Sequence, residues 1–464
     1  MIRATLAEIA AMIPGAGFDG RHADVAIAGA GRDSREELSG RLFVPLIGER
    51  FDGHDFAAEA RRRGAAATLW QRGRGEPPEG LPAVFVEDTL EALQQLAAAW
   101  RRRLPVKVIG VTGSCGKTST KDMIHAALSS VHRVHKTTGN LNNHIGLPLS
   151  ILEMAEDAEF AVLEMGMSGE GEIAALSSIA APDAAVITNI GEAHLLQLGS
   201  REAIARAKFE ITAGLKEDGA FICNGDEPLL ARLVDREAGR LPKTVVRFGL
   251  SPDNDYFPAD VAVSPEGTRF SAARGDGGEP IRDLFVPLPG RHNALNAMAA
   301  VAVARLFGVP EDRLRAGLAA MKPTGMRSET LRAASGAVLI NDAYNASPTA
   351  MKAALALLEE LPCRGRKIAV LGDMLELGEA GESLHRDVGA GIDPEGIDHV
   401  LTYGGLAAYI AEECLPRFGD GRVEAYRDKE ALAERLKRLA GPDDLVLFKA
   451  SRGMRLEEVI QALL

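Results

Sequence analysis

The sequence is poor in cysteine, and no two of its cysteines lie close enough together to form a metal motif. The four thiols are those of Cys115, Cys223, Cys363 and Cys414. This wide spacing excludes a CxxC zinc site and disfavours a disulfide-stabilised secreted fold. Long apolar runs are also lacking, since none approaches the roughly 20 residues of a membrane-spanning helix, and the first residues have no signal-peptide core. We therefore expect a cytoplasmic protein without membrane insertion.

An excess of positive charge is lacking too. Lys and Arg number 53 against 65 Asp and Glu, for a formal net charge of −12, which argues against nucleic acid as the main partner. Anionic small ligands remain compatible with this charge, because a local loop of backbone amides and one lysine outweighs a distant surface field. The 464 residues exceed what one compact core supports and suit about three domains.

Strand and helix patterns divide the chain into three α/β units. We predict boundaries at residues 1–104, 105–325 and 326–464. A basic run at 101–103, followed by Pro105, indicates the first linker. From Val106 onward buried apolar strands alternate with helices, which is typical of a mostly parallel sheet covered on both faces. The last unit repeats this alternation, and the polar segment 272–280 is predicted to be a mobile loop.

A glycine-rich loop is the strongest single signal. Residues 112–120 read TGSCGKTST, after the apolar strand predicted at 106–111 and before a helix. Amides in such a turn converge on phosphate oxygens, so Lys117 would neutralise the β- and γ-phosphates and Thr118 would bind Mg²⁺. The strict GxxxxGK[ST] pattern fails at Val111, and an ordinary glycine-rich turn is the alternative. The predicted ATP site includes Gly113, Ser114, Cys115, Gly116, Lys117, Thr118 and Ser119.

Lys208 falls on the apolar face of a helix predicted at 200–215. That face consists of Ile204, Ala207, Ile211 and Leu215, which recur at helical spacing. Burial can lower the pKa of a lysine by up to about 3–5 units, and a neutral amine can add CO2 to become a carbamate ligand of Mg²⁺. The alternative is a lysine whose stem packs inside while its ammonium reaches solvent.

Two further candidate metal ligands follow predicted strands. Glu164 ends an apolar run, and His194 comes shortly after the strand predicted at 184–189. Ligands gather at the carboxyl ends of parallel strands, where the glycine-rich loop also lies. Mg²⁺ prefers oxygen ligands and keeps several waters, so a carboxylate suits it better than an imidazole. Taken alone, His194 is more often a hydrogen-bonded surface or hinge residue.

Nine segments in order carry a family resemblance. They are TGSCGKTST (112–120), TTGNLNNHIGLPLSIL (137–152), LEMGMSGEGEI (163–173), TNIGEAHLLQLGS (188–200), AKFEI (207–211), GRHNALNAMAA (290–300), NDAYNASP (341–348), LGDMLELG (371–378) and KASRGMRLEEV (449–459). Together they resemble the Mur ligase family over nearly the whole chain. The resemblance implies an N-terminal uridine-nucleotide domain, a central P-loop ATPase domain and a C-terminal Rossmann-like domain that binds the incoming dipeptide.

The resemblance also implies a reaction. ATP would activate the carboxylate of UDP-N-acetylmuramoyl-tripeptide as an acyl phosphate, which D-alanyl-D-alanine would attack, in peptidoglycan precursor synthesis. Two Mg²⁺ ions and a CO2-derived carbamate on Lys208 are implied, and we expect a monomer. The implied catalytic residues are Lys117, His194, Lys208 and Arg327. The implied metal ligands are Thr118, Glu164, His194 and Lys208.

The resemblance assigns ligand contacts beyond the glycine-rich loop. Asn293 matches a residue near adenine, Arg327 one that reaches ATP phosphate, and Asp342 one that faces the ribose. Asn293 could instead be a helix cap, and Asp342 could organise a turn. The implied substrate-binding residues are Ser34, Arg35, Asp52 and His54 for the uridine diphosphate, Thr137, Thr138, Asn140 and Asn143 for the muramoyl peptide, and Lys449, Ser451 and Arg452 for the dipeptide. A plain surface loop is the alternative for the last three.

Two other functions compete with this interpretation. One is a related amide ligase that adds a diamino acid or, as in folylpolyglutamate synthesis, glutamate. The diaminopimelate-adding type carries an Asn-Pro-Arg signature in its last domain, and this sequence has none there. The other is a P-loop switch protein without ligase chemistry, which would need no lysine on a buried helix face.

Overall fold

The N-terminal domain combines a small, largely parallel sheet with three helices. The computed structural model describes residues 1–464. Its first elements are β1 (Arg3–Thr5), α1 (Leu6–Met12), β2 (Gly17–Phe18), β3 (Ala26–Ala28), β4 (Ala30–Gly31), β5 (Leu42–Phe43), α2 (Ala57–Arg62), β6 (Ala67–Gln71), β7 (Ala83–Val86) and α3 (Thr89–Arg103), with 3-10 turns at Gly20–His22 and Gly53–Phe56. The strands pair in the order β2-β7-β6-β5-β4, and β1 pairs with β3. Asp88 caps α3 by accepting a hydrogen bond from the Glu91 amide at 2.8 Å.

The central domain is built on a nine-stranded sheet. Its elements are β8 (Lys107–Thr112), α4 (Lys117–Ser129), β9 (Val134–Lys136), α5 (Gly146–Leu152), β10 (Phe160–Glu164), α6 (Glu172–Ala180), β11 (Ala184–Ile187), α7 (Leu195–Leu198), α8 (Arg201–Phe209), β12 (Ala220–Asn224), α9 (Pro228–Arg236), β13 (Thr244–Phe248), β14 (Tyr256–Ser264), β15 (Gly267–Arg274), β16 (Ile281–Val286), α10 (Arg291–Leu306) and α11 (Glu311–Ala319). The order is β16-β15-β14-β13-β12-β11-β8-β10-β9. Strands β8 to β13 run parallel, whereas β14, β15 and β16 form an antiparallel meander.

Two local predictions in this domain are wrong in detail. The helix predicted at 200–215 ends at Phe209, and Glu210–Gly214 continue as a 3-10 helix, so Leu215 is only partly buried. The segment 272–280 is not wholly a loop, because β15 runs to Arg274 and pairs with both neighbours in the meander. Pairing across the sheet decided this strand, and no local signal in the sequence indicated it.

The C-terminal domain has a six-stranded sheet with helices on both faces. Its elements are β17 (Glu329–Arg332), β18 (Val338–Asn341), α12 (Pro348–Glu360), β19 (Lys367–Gly372), α13 (Gly381–Ala390), β20 (His399–Tyr403), α14 (Ala407–Cys414), β21 (Val423–Tyr426), α15 (Lys429–Leu439), β22 (Leu445–Lys449) and α16 (Glu457–Gln461), with 3-10 turns at Gly378–Ala380 and Arg452–Met454. The order is β17-β18-β22-β19-β20-β21, and only β17 is antiparallel. The predicted α/β fold class is confirmed.

The N-terminal and central domains share one hydrophobic core. Apolar side chains of α1 and α3 belong to the same continuous cluster as those of α5, α6 and α8. Polar contacts reinforce this junction: the Ile2 amide donates to Leu152 O at 2.6 Å, and Arg101 Nε donates to Ala180 O at 2.9 Å. The C-terminal domain has separate cores on the two faces of its sheet. No helix in the structure combines the length and apolar character needed to span a bilayer.

Candidate active site

The glycine-rich loop between β8 and α4 is fixed in position by the two residues that follow β11, Thr188 and Asn189. Gly113 has a φ of +150°, and a Cβ there would lie 1.9 Å from Thr188 Oγ1. Gly116 lies in the left-handed region at φ +76°. Asn189 Oδ1 accepts a hydrogen bond from the Cys115 amide at 2.8 Å, and Thr188 Oγ1 donates to Cys115 O at 2.6 Å. Only glycine fits at 113, so the close approach of the two strands depends on this residue.

Lys117 extends back over the loop that precedes it. Its Nζ donates to Gly113 O at 2.7 Å and to Ser114 O at 3.4 Å. Burial lowers the pKa of Lys117, and Arg327 lowers it further, while the Glu164 carboxylate acts in the opposite direction. An ammonium held by carbonyl oxygens lacks a full counter-charge. Phosphate oxygens arriving at this loop would supply one.

Glu164 lies at the centre of a polar cluster beside the loop. The parallel register pairs it with Val111 at the end of β8. Its carboxylate accepts from Thr118 Oγ1 at 3.0 Å and from Asn142 Nδ2 at 2.8 Å. Sequence reasoning missed Asn142, although it stands inside the 137–152 segment. A hydroxyl and a buried carboxylate in contact form an oxygen donor set that suits Mg²⁺.

Lys208 is 1 % exposed, so the burial predicted from the helical stripe is confirmed. No acidic group lies within ion-pair distance of its amine, although buried lysines are usually paired. Burial lowers the pKa of Lys208 well below its usual value, and the nearby Lys117 adds to this effect. The side chain does not reach solvent, which removes the alternative interpretation. Both effects shift the amine toward its neutral form.

His194 lies between the central and C-terminal domains. It has a left-handed φ of 67°, and its Nδ1 lies 3.0 Å from Glu376 Oε2. Burial lowers the pKa of His194, and the charges of Lys208 and Lys117 lower it further. The imidazole is therefore held neutral, which is the form that binds a metal.

The residues present fit one magnesium ion without modification, and a second ion beside His194 would require a modified Lys208. No three His, Cys, Asp or Glu side chains cluster as a metal site, so a cage made entirely of unmodified side chains is absent. Mg²⁺ does not need one, because it keeps several waters and takes one or two carboxylates. The Thr118 and Glu164 pair supplies one such set. Beside His194, an ammonium on Lys208 would repel a cation, whereas an anionic carbamate would bind it.

The chain entering the C-terminal domain reaches the same cleft. Arg327 Nη2 donates to Thr118 Oγ1 at 3.3 Å, and its guanidinium lies 3.9 Å from the centre of the Tyr344 ring. The cleft has a volume of about 320 Å³. Its lining includes residues 114–118 and 142–144 together with Glu164, His194, Arg327 and Tyr344. The candidate phosphate residues of the loop thus face one space with Glu164 and His194, whereas Lys208 is buried and is not part of the lining.

Several residues predicted to contact ligands are engaged in internal contacts. Lys449 is buried, and its ammonium forms an ion pair with Asp342 and donates to Asn345 O at 3.2 Å. Ser451 Oγ accepts from the Leu375 amide at 2.9 Å. The predicted ribose contact and the predicted dipeptide contact therefore neutralise each other in this arrangement. The sequence pattern predicted different ligands for Asp342 and Lys449 and did not indicate that they pair.

The other residues predicted to contact ligands are of two kinds: some are exposed, and others already form hydrogen bonds within the protein. Thr137 is fully buried, and its hydroxyl accepts from the Glu164 amide at 3.0 Å, which differs from the predicted ligand contact. Asn143 Oδ1 accepts from the Gly146 amide at 2.8 Å and so starts α5.

Asn293 Nδ2 donates to Pro289 O at 2.9 Å, although the helix cap is Gly290 rather than Asn293. Exposed members of the predicted set are Arg35, Thr138, Asn140 and Arg452, of which Arg35 pairs with Asp33 and Arg452 with Glu457.

A larger cavity of about 760 Å³ lies between the N-terminal domain and α5. Ser34 and Arg35 line it, with apolar walls that include Phe43 and Leu149. Its size suits an organic ligand larger than a metal or phosphate. The cavity extends along the same α5 whose preceding loop enters the metal cleft.

His54 has a structural role in the N-terminal domain. Its Nδ1 lies 2.6 Å from Asp52, and its Nε2 accepts from the Gln71 amide at 3.2 Å. Asp52 also pairs with Arg74 at 2.6 Å. Both ring nitrogens are occupied, so the predicted substrate contact of His54 lacks a free ring nitrogen. Asp52 and His54 organise the turn that borders the cavity.

Three family models match the chain in succession. They are the Mur ligase family catalytic domain at residues 26–101, the Mur ligase middle domain at 111–304 and the Mur ligase glutamate ligase domain at 326–452. The UDP-N-acetylmuramoyl-tripeptide–D-alanyl-D-alanine ligase of Bacillus subtilis (strain 168) is 51% identical, with 100% of this chain and 99% of the relative covered. The ligase of the same name from Escherichia coli (strain K12) is 38% identical, with the same shares covered.

Solved structures agree with these relatives. MurF from Acinetobacter baumannii superposes with a TM-score of 0.89 at 30% identity, covering 100% of this chain and 99% of that one. The MurF ligase of Thermotoga maritima, solved in complex with ADP, has a TM-score of 0.80 at 32% identity and covers 94% and 96%. A folylpolyglutamate synthase from Mycobacterium tuberculosis has a TM-score of 0.63 at 21% identity, a likeness of fold alone.

Proposed function

This chain belongs to the Mur ligase family, and we propose that it joins D-alanyl-D-alanine to UDP-N-acetylmuramoyl-tripeptide at the expense of ATP. The observation that carries the proposal is a glycine-rich loop whose Lys117 lies near a buried, unpaired lysine, Lys208, in a chain that matches ligases of that name from end to end. The reaction forms a carbon–nitrogen bond and belongs to peptidoglycan precursor synthesis.

The first chemical step is transfer of the γ-phosphoryl group. A carboxylate oxygen of the tripeptide attacks the γ-phosphorus in line, and the bond to the β-phosphate oxygen breaks to release ADP. Such transfer needs positioning and charge neutralisation more than covalent assistance. Lys117 and the loop amides hold the phosphates, and Arg327 adds positive charge from the domain linker. Bound Mg²⁺ would supply further neutralisation of the developing charge.

The second step forms the amide. The amine of D-alanyl-D-alanine attacks the acyl phosphate carbon, phosphate leaves, and the amine loses a proton. An acyl phosphate hydrolyses readily, so water must be kept away from it. The hydrogen bond from Arg327 to Thr118, with the Arg327 guanidinium stacked on Tyr344, supports such a closed arrangement. The dipeptide would enter beside the C-terminal domain, near Arg452.

Lys208 would act as a carbamate. CO2 adds to the neutral Nζ, a nitrogen–carbon bond forms, and one proton is released. The buried, unpaired amine supports this modification, and His194 lies close enough to Lys208 for its pKa to be lowered by the lysine's charge. Thr118 and Glu164 would hold one Mg²⁺, and His194 and the carbamate the other.

The nucleotide-sugar part of the first substrate would occupy the N-terminal cavity. The support is the size of that cavity, about 760 Å³, and the presence of Ser34 and Arg35 in its lining. The segment from Thr138 to Asn140 is exposed between this cavity and the metal cleft. The peptide would then extend past α5 toward the phosphate loop.

The decisive experiment is product analysis. Purified protein with ATP, Mg²⁺, UDP-N-acetylmuramoyl-tripeptide and D-alanyl-D-alanine should give the pentapeptide product by mass spectrometry, together with ADP and phosphate. A parallel panel offers diaminopimelate, lysine and glutamate as amine acceptors to the corresponding shorter substrates. Product from a different acceptor alone would contradict the dipeptide assignment. ATP hydrolysis independent of any acceptor would contradict ligase chemistry altogether.

A further inference from the structure

Two non-glycine residues in left-handed backbone conformations face each other across the boundary of the central and C-terminal domains. His194 has a φ of 67° and Glu376 a φ of 64°. Such conformations are unfavourable for side chains with a Cβ and persist only where the surroundings impose them. His194 follows β11 and Glu376 follows β19, so each lies beyond the carboxyl end of a strand in its own domain.

The two loops are joined by more than one contact. His194 Nδ1 lies 3.0 Å from Glu376 Oε2, although the angle falls short of a full hydrogen bond. The Leu196 amide donates to Glu376 O at 3.1 Å. Gly378 packs against Leu196, because a Cβ at 378 would lie 3.0 Å from its side chain. The backbone contact and the packing fix the position of Glu376 even though its side chain is 54 % exposed.

A second contact ties the same segment to the C-terminal domain. Glu192 accepts a hydrogen bond from Thr349 Oγ1 at 2.7 Å, at the first turn of α12. His194 is therefore flanked on both sides by residues that touch the other domain. The observed course of the segment 192–196 is therefore supported by contacts with the C-terminal domain.

We propose that Glu376 is a positioning residue, supplied by the C-terminal domain on docking, that orients the imidazole of His194 toward the metal cleft. This inference rests on the proposed ligase function. A carboxylate beside Nδ1 holds the proton on that nitrogen and leaves Nε2 as the metal-binding atom. Docking of the C-terminal domain would thus complete the metal site, and the site would be incomplete while the domains are apart.

The test compares Glu376→Ala and Glu376→Gln with a matched control. Glu379→Gln removes an exposed carboxylate three residues away that has no ion pair or hydrogen bond. Carboxylates that orient metal-bound histidines are worth about 10–100-fold in metal affinity or activity. We expect Glu376→Ala to lower kcat by about that factor and to raise the free Mg²⁺ concentration needed for half-maximal rate, with KM for the UDP substrate unchanged. Glu376→Gln should retain most activity, because its amide oxygen can still accept from Nδ1.

A second readout does not depend on catalysis. Hydrogen exchange of the peptide that spans residues 192–199 reports docking of that segment, since the Leu196 amide is bonded across the boundary. Exchange should be faster in Glu376→Ala than in the wild type and unchanged in Glu379→Gln. Unaltered exchange in Glu376→Ala would contradict the proposal.

The outcomes separate this inference from the proposed function. A wild-type protein that makes no pentapeptide product would refute the function, whereas an active wild type with unaffected Glu376 variants would refute only the positioning role. Equal losses in the Gln and Ala variants would also overturn it, since the accepting oxygen would then be irrelevant. Thermal unfolding that matches the wild type shows that any loss in either variant is not a failure to fold.

Discussion

Two lysines are fully buried in the central domain, and their surroundings differ. Lys121 is 0 % exposed and lies 3.5 Å from Asp122 and 4.0 Å from Glu164, while its Nζ donates to Thr137 O at 3.1 Å. Lys208 is 1 % exposed and has no acidic partner. When a buried charge has partners, their interactions offset the free energy lost on desolvation. A buried charge without partners carries that desolvation penalty in full. The comparison teaches that burial alone does not indicate a chemical role for a lysine, whereas burial without an acidic partner makes the residue a candidate for one.

The largest expected effect is at a third lysine, Lys117. Its loss gives a reference against which the effects at Lys121 and Lys208 can be compared. Lys117→Ala should abolish ATP turnover, with a loss of at least about 10³-fold, because the loop then loses its only ammonium at the phosphate position. The measurement is ADP release with the full substrate set. Turnover near the wild-type rate would refute the phosphate-loop assignment.

Lys208→Ala should reduce ligase activity by at least about 10²-fold through loss of a metal ligand. Added bicarbonate or acetate should restore part of the activity, because a free carboxylate can occupy the space of the carbamate. The same additions should not rescue Lys121→Met, whose lysine serves packing and charge balance. A fully active Lys208→Ala protein would refute the carbamate.

The two lysines should also affect stability in opposite directions. Lys121→Met breaks a buried ion pair and should destabilise the central domain by about 3–5 kcal/mol. Lys208→Met removes an unpaired buried amine and should leave the unfolding free energy unchanged or raised. Urea unfolding of both variants measures this difference, with activity recorded on the same samples. Similar destabilisation at both positions would show that the lysines do not differ in role.

The smallest expected effect is at Thr137, whose carbonyl binds Lys121 and whose hydroxyl binds the Glu164 amide. Thr137→Val keeps the shape and the carbonyl but removes the hydroxyl acceptor, which should cost about 1 kcal/mol of stability. KM for the tripeptide substrate should not change, because the side chain is buried. A large rise in KM would contradict this expectation and would support the predicted contact of Thr137 with the muramoyl peptide.

The sequence predicted well those features that are written in local patterns. The glycine-rich turn between a strand and a helix follows from glycine spacing after an apolar strand, and the burial of Lys208 follows from its place on a helical stripe. Glu164 was found because it ends an apolar run. Each of these features depends on a short stretch of sequence, and the same local arrangement is present in the structure.

Features that depend on contacts between distant segments were not predictable. Asn142 reaches Glu164 only because a loop crosses the end of β10, and the pairing of Lys449 with Asp342 joins adjacent strands far apart in the sequence. Glu376 meets His194 across a domain boundary. His54 was predicted to contact the substrate, but its Nε2 accepts from the amide of Gln71, which lies 17 residues further along the chain. Tertiary pairing decided each case, and one sequence carries no signal for it.

The hydrophobic core shared by the first two domains has a mechanical consequence. Separating them would expose a large apolar surface to water, so they behave as a single rigid body rather than two. Articulation is then confined to the chain that leads into β17, where Met326 and Ser328 both have positive φ values. We therefore expect any movement of the C-terminal domain to be a rigid-body rotation about this stretch, which would carry Glu376 toward or away from His194 while Arg327 stays near the pivot.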